Sequence, residues 1–236
     1  MEDLRGQHLA VLGATGGLGP TVCEVLLACG ATVTAVSRRR TALDGLRADL
    51  KHNDRLNVAE GDVSDGPSTE ALFDSLERGH GALEGIVHVV GGFEYAPLAS
   101  MTDESIARLT QGLFVSAVLA SRAAVRRMVP RGRGRIVLTS SMTSLRPSAN
   151  VVVYGALKAA VSHFVQALAS EVGAAGVRVN AILPGVIDTP SNRREMPQSD
   201  PTRFVSPRAI ASAVMGLLGE SGRGINGALV ALPDTM

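Results

Sequence analysis

The chain has no tryptophan, only two tyrosines and only two cysteines in 236 residues. The cysteines, Cys23 and Cys29, fall six apart in a helical pattern. At ~1.5 Å and ~100° per residue they lie ~9 Å apart along the axis and on different faces, too far for a disulfide between them. Unbridged thiols suit a reducing compartment, and a cytoplasmic location is the expectation. The five histidines and two cysteines show no metal-ligand spacing, so no metal is expected. Neither sign of charge dominates: 23 Lys and Arg stand against 22 Asp and Glu. That balance gives no whole-chain reason for a nucleic-acid or membrane-surface partner, and the arginine-rich turn from Arg126 to Arg135 reads as a solvated connection. The start, "MEDLRGQHLAVLG", lacks the basic segment and apolar run of a signal peptide. No uninterrupted apolar stretch reaches the ~18 residues of a spanning helix; the run from Leu113 is broken by Ser116, Ser121 and Arg122.

What is present is apolar residues (45%) and glycine (26), in short β-branched runs that alternate with helix-period segments. Strands are predicted over 8–12, 32–37, 56–59, 85–90, 135–139, 177–183 and 228–232. Helices are predicted over 17–29, 41–50, 69–78, 103–128, 151–172 and 208–218. Runs such as "GIVHVV" and "RIVLTS" are apolar on both alternating faces, the pattern of parallel strands covered on both sides. Regular strand–helix alternation predicts one doubly wound α/β domain over residues 1–236. Residues 190–207, "PSNRREMPQSDPTRFVSP", show no clear period. A loop of this length in a compact domain is expected to be functional or disordered, and its place after a strand end suggests a substrate lid.

Directly after the first strand comes "LGATGGLG", Leu12 to Gly19, with glycines at 13, 17 and 19. Glycines between a strand and a helix allow a tight turn and the approach of a pyrophosphate to bare helix-start amides. The candidate contacts are Gly13, Thr15, Gly16, Gly17, Leu18 and Gly19. The second strand ends in "VSRRR". The residue ~20 beyond such glycines meets the adenosine ribose, where an acid suits a hydroxyl and an arginine a 2′-phosphate. Ser37 and Arg38 fill that place, with Arg39 behind them, so NADP(H) is expected over NAD(H). Arg40 reads as a solvated neighbour.

One of the two tyrosines sits in "YGALK", at a predicted helix start. Tyr154 and Lys158, at i and i+4, share a helix face. A phenol with an ordinary pKa near ~10 shuttles protons poorly at neutral pH. A nearby ammonium favours the phenolate and is expected to lower that value, making a general acid–base. Ser141, at the end of the "RIVLTSS" strand, is placed to converge on the same carbonyl oxygen and donate a hydrogen bond to it.

Taken together, these residues resemble the short-chain dehydrogenase/reductase family over nearly the whole chain. The glycine turn, Asp62 after the third strand, Ser141, Tyr154-x-x-x-Lys158 and "NAILPGVIDT" from Asn180 stand in family order and spacing. The resemblance implies a Rossmann-type sheet of seven parallel strands and hydride transfer between nicotinamide and a carbonyl or alcohol carbon. It assigns Ser141 to the substrate oxygen, Tyr154 to proton transfer, and Lys158 to the nicotinamide ribose and to tuning Tyr154. It places Asp62 and Val63 at adenine. Val90, Gly91, Gly92 and Thr139 fall along the cofactor, and Pro184, Gly185, Ile187 and Thr189 on its carboxamide side. The expected substrate is a small carbonyl or alcohol, and a homodimer or homotetramer built through the fourth- and fifth-helix faces is the expected assembly. Phe93, Met142 and Leu145 are candidates for an apolar substrate wall, and "NRRE" from Asn192 for contact with an anionic group.

Two places depart from the family pattern. His88, Val89, Val90 and Gly91 stand where Asn-Asn-Ala-Gly is usual; His88 is expected to be packed and hydrogen bonded, with a substrate-contacting or proton-relay role as the alternative. Leu113 stands where an asparagine often positions a water behind the lysine. Leucine cannot do so through its side chain; Ser116 or the backbone carbonyl at 113 is the available substitute. These departures are the support for a dinucleotide-binding protein without strong catalysis. Elimination or isomerisation on the same fold is a further alternative. Net consumption of NADPH separates the oxidoreductase from both.

Overall fold

The computed structural model describes residues 3–50 and 54–234. Among them, seven parallel strands form one sheet in the order β3-β2-β1-β4-β5-β6-β7. The strands are β1 (His8–Leu12), β2 (Thr32–Ser37), β3 (Leu56–Glu60), β4 (Leu83–His88), β5 (Gly134–Thr139), β6 (Val177–Pro184) and β7 (Leu229–Leu232). The helices are α1 (Gly19–Ala28), α2 (Arg40–Asp49), α3 (Gly66–His80), α4 (Asp103–Thr110), α5 (Ser116–Met128), α6 (Val152–Val172), α7 (Pro190–Glu195) and α8 (Pro207–Leu218). Alternation along each strand divides the core. Leu9 and Val11 of β1 face a cluster with α1, α2 and α8, whereas Ala10 and Leu12 face one with α3, α5 and α6. Strands covered on both faces must be apolar on both, as the sequence shows.

The chain winds outward from β1 to β2 and β3, then returns to the other side of β1 as β4. The carboxyl ends of β1 and β4 therefore flank the switch point, the place where such sheets bind ligands. Strand β4 ends at His88, short of the expected residue 90. Val89 N–H still donates to Leu12 O at 2.9 Å. Beyond it, Gly13 turns out of the sheet with φ +87°, so Val90 finds no ladder partner on β1.

The helix expected over 103–128 is interrupted. Residues Gln111–Val115 form a π-turn between α4 and α5. Residues 190–207 are also more ordered than their composition suggests. Thr189 caps α7 by accepting a hydrogen bond from Asn192 N–H at 3.2 Å, and Pro201–Arg203 forms a 3₁₀ turn. Val205 pins the segment's far end, donating to Val186 O at 2.7 Å and accepting from Asp188 N–H at 2.9 Å. The basic turn after α5 is neutralised by α3: Arg126 and Arg127 meet Glu70 at 2.7 and 2.9 Å, and Arg131 meets Glu77 at 2.6 Å.

Candidate active site

The turn after β1 packs where side chains would not fit. A Cβ on Gly13 would stand 2.8 Å from Val90 N, and one on Gly17 would stand 2.9 Å from Thr189 Cγ2. Backbone after β4 and the Thr189 side chain of the β6 loop thus pack against the turn only because these positions are glycine. The first-turn amides of α1 have no intrahelical acceptor and face this place. Beside the turn opens a cleft of about 740 Å³, within the range of cofactor sites.

The cleft brings together most of the residues expected to hold a dinucleotide. Gly13, Thr15 and Gly16 line its floor, and Ser37, Arg38 and Arg39 its β2 end. Asp62 and Val63 line it after β3, and Val90, Gly91 and Gly92 after β4. Thr15 and Ser37 hydroxyls lie 2.7 Å apart and join two of these walls. Asp62 accepts from Ser64 N–H and Oγ–H at 2.8 and 2.6 Å, which fixes the β3 turn. Arg38 and Arg39 are exposed and no ion pair among the described residues holds either; Arg40 pairs with Asp44 at 3.0 Å. Leu18 is buried at the start of α1. Gly17, Gly19, Thr139, Pro184, Gly185, Ile187 and Thr189 lie outside the lining of this cleft. The glycine cradle and the size of the cleft fit a dinucleotide.

Ser141, Tyr154 and Lys158 meet at the neighbouring strand end. Ser141 Oγ reaches Pro184 O at 3.5 Å and accepts from Thr143 N–H at 3.2 Å. Lys158 Nζ lies 5.8 Å from the Tyr154 ring centroid and donates to Thr139 O at 2.7 Å. Position comes from a seam of hydroxyls that the sequence reading missed. Ser140 Oγ donates to Lys158 O at 2.8 Å and lies 2.8 Å from Ser162 Oγ, which donates to Ser144 Oγ at 3.1 Å. The seam ties the end of β5 to α6; its only sequence trace is the hydroxyl-rich run "TSSMTS". Phe93 stacks edge-on against Tyr154 with centroids 5.1 Å apart. Phe93 and Leu145 are exposed at the mouth. Met142 instead packs against the core. Three of the "NRRE" residues are occupied within their own loop: Asn192 donates to Ile187 O at 2.8 Å, Arg193 pairs with Asp188 at 2.5 Å and Glu195 accepts from Ser191 Oγ–H at 2.8 Å.

Burial dominates the electrostatics. It pushes the Tyr154 phenol above its ordinary value, and the Ser141 hydroxyl draws it only partly back. This reverses the expected direction: Lys158 is close, but taking the phenolate out of water costs more than the neighbours return. Burial also holds Lys158 down to about 8. His88 is fully buried and held to about 3, first by burial and then by the charge of Lys158, so it is a neutral, hydrogen-bonded residue. Leu113 is buried, at the centre of the π-turn. Among the described residues, no group of three or more His, Cys, Asp or Glu side chains is placed to hold a metal ion. Cys23 and Cys29 are both buried and neither is in a disulfide; the Cys29 thiol lies 3.1 Å from Met215 Sδ.

Residues 7–200 match the family model for short chain dehydrogenase. The chain is 29% identical to 3beta-hydroxysteroid dehydrogenase 2 of Eggerthella lenta, covering 95% of this chain and 92% of the relative. It is 30% identical to cis-4-hydroxycyclohexanecarboxylate dehydrogenase of Sinomonas cyclohexanicum, covering 98% and 97%. A solved short-chain type dehydrogenase/reductase from Mycobacterium ulcerans superposes with a TM-score of 0.91 at 26% identity, covering 98% of this chain and 89% of that one.

The depressed Lys158 links stability to pH. Between about 8 and its ordinary 10.5 the unfolded chain binds this proton and the folded chain does not, so stability rises with pH across that window. Below about 8 the cost of the buried charge is fully present. Lys158→Met removes it. Over that window wild type is expected to gain about 3 kcal/mol relative to Lys158→Met in denaturant unfolding; a constant difference would refute the buried cation.

Proposed function

The chain belongs to the short-chain dehydrogenase/reductase family, and we propose that it is an NADP(H)-dependent reductase of ketones or aldehydes, running also as the alcohol dehydrogenase. The observation that carries this reading is the meeting of Ser141, Tyr154 and Lys158 at the strand end beside the cleft. Binding alone does not require a phenol, an ammonium and a hydroxyl set together. When bound, the nicotinamide supplies the hydride for reduction or accepts it in oxidation. Ser141 Oγ–H donates to the carbonyl oxygen and fixes it. Tyr154 Oη gives its proton to that oxygen as the carbonyl carbon receives hydride, and the alcohol results; oxidation returns the proton to Tyr154. Lys158 holds a positive charge beside the phenol, so the phenolate left behind is favoured over one facing neutral surroundings.

The turn of Gly13, Thr15, Gly16, Gly17, Leu18 and Gly19 would hold the pyrophosphate, with Asp62 and Val63 at adenine. Val90, Gly91, Gly92, Thr139 and Lys158 would follow the nicotinamide half, and Pro184, Gly185, Ile187 and Thr189 its carboxamide. Arg38, supported by Ser37 and Arg39, would fork onto a 2′-phosphate. Phe93, Tyr95, Leu98 and Leu145 are exposed apolar side chains near the mouth and favour substrates with an apolar flank, while residues 190–207 form its lid. The absence of a disulfide between the two cysteines supports the cytoplasmic reading. The helical run Val152–Ala175 has the length and hydropathy of a membrane span, with 28% of its apolar window buried in the subunit. Because that run carries Tyr154 and Lys158 against the sheet, its outer face is better covered by a second copy of the chain, giving a homodimer or homotetramer.

Tyr154→Phe is expected to lower NADPH-linked reduction over a carbonyl panel at least ~10³-fold, the order of general acid–base contributions, with NADPH binding nearly intact; wild-type turnover in this variant removes Tyr154 from the mechanism. Arg38→Ala should weaken NADPH ~10-fold or more, the scale of a charge-assisted pair, and NADH little. Equal losses measured by titration mean that Arg38 does not read the phosphate. Sedimentation should give a dimer or tetramer; a monomer at micromolar concentration refutes the assembly.

A further inference from the structure

The π-turn between α4 and α5 leaves one backbone group to account for. Ser116 N–H donates to Gln111 O, five residues back. In an α-helix the same amide would serve Gly112 O. The Gly112 carbonyl is instead met by the Ser116 side chain, whose Oγ–H donates to it at 2.6 Å. A serine hydroxyl has a single proton. With that proton on Gly112 O, the 2.9 Å contact between Ser116 Oγ and His88 Nε2 must have the nitrogen as donor. That proton placement assigns Nε2–H to the imidazole; burial accounts for its neutrality.

We infer that His88 and Ser116 form a buried clasp, imidazole to hydroxyl to carbonyl, that closes the π-turn against the end of β4 and seals the back of the Tyr154–Lys158 pair from water. His88 and Ser116 are 1% and 0% exposed, Leu113 beside them 1% and Lys158 3%. The π-turn packs on α6, and Leu113 and Ser116 also line the cofactor cleft, so the clasp stands between the cleft and the lysine. The imidazole lies near enough to Lys158 to feel its charge. Among the described residues no other titratable group bears on His88 or Lys158 from the packed elements: the π-turn is Gln-Gly-Leu-Phe-Val, and Arg108 on α4 is paired with Glu94 at 2.6 Å. The chain of hydrogen bonds ends on a backbone carbonyl, so it holds the wall but does not conduct a proton outward. His88 and Ser116 are positioning residues, acting through Lys158 and Tyr154; this function rests on reading that pair as the acid–base.

The test uses the chain's scarcity of aromatic residues. With no tryptophan and two tyrosines, a Tyr95→Phe background leaves phenolate absorbance to report Tyr154 alone. In that background Ser116→Ala is expected to lower the Tyr154 midpoint by about half a pH unit or more, because water reaching the pair relieves the burial that raises it. His88→Leu should do the same. His88→Gln, which places an amide N–H near the Nε2 position, should return the midpoint most of the way. The two clasp losses combined should equal one alone. With the carbonyl panel, Ser116→Ala should lower kcat about 10-fold and leave the KM for NADPH within about 2-fold, as for lost positioning. An unmoved Tyr154 midpoint in folded Ser116→Ala, or in folded His88→Leu, overturns the clasp whatever happens to melting temperature. The titration judges the clasp without turnover, whereas equal turnover by wild type and Tyr154→Phe would sink the proposed function.

Discussion

A lysine ammonium buried at the end of β5 is the constraint around which this molecule is arranged. Lys158 is 3% exposed and has no carboxylate against it among the described ion pairs. Its visible partner is the Thr139 carbonyl, 2.7 Å away. One carbonyl does not offset the desolvation of a charge, so its pKa falls. A fold that sought stability alone would place an acid there or a hydrocarbon. The unpaired cation makes sense beside a phenol, where positive charge favours the phenolate. Its cost is held in place by the serine seam, which binds the Lys158 carbonyl and thus the helix turn that carries the side chain.

The sheet supplies the other half of the arrangement. Strand order reverses between β1 and β4, so two strand ends diverge and leave a crevice without any special loop. The glycine turn then narrows it: Gly13 lets β4 backbone come close, and Gly17 admits Thr189 from the β6 side. Three segments distant in sequence are thereby set at fixed spacing beside the cleft. Ser141 and Tyr154 belong to the adjacent strand end and helix start, so the same sheet edge positions the cleft and the serine–tyrosine–lysine set.

Strands with apolar residues on both faces were legible to within one or two residues, because burial on both sides leaves little choice of residue type. That Ser141, Tyr154 and Lys158 come together was legible for a different reason, since residues at i and i+4 share a helix face and the end of β5 lies beside that helix start. Boundaries were legible only where a local signal exists. β4 stops at His88 through what Gly13 does on another strand, and nothing in "VHVVGG" carries that information. The π-turn was equally hidden, because Gln111–Val115 keeps helical composition and differs only in which carbonyl each amide meets. The 190–207 segment misled by its prolines: Pro190, Pro201 and Pro207 sit at helix starts, where a missing N–H is harmless. The direction of the Tyr154 shift was not legible at all, since spacing reveals the lysine but not the depth at which the phenol is buried.

The identity of residue 88 follows from the same electrostatics. A carboxylate at that position would pair with Lys158, pull the ammonium toward β4 and spend its charge away from the phenol. A second cation would repel it and raise the cost of an already expensive site. A purely apolar side chain would leave Ser116 Oγ without a donor in a dry interior, at a cost of about 1–3 kcal/mol. An imidazole held neutral by burial avoids all three: it fills the space, donates one hydrogen bond and carries no charge. Its neutrality therefore spares Lys158 a second positive charge nearby.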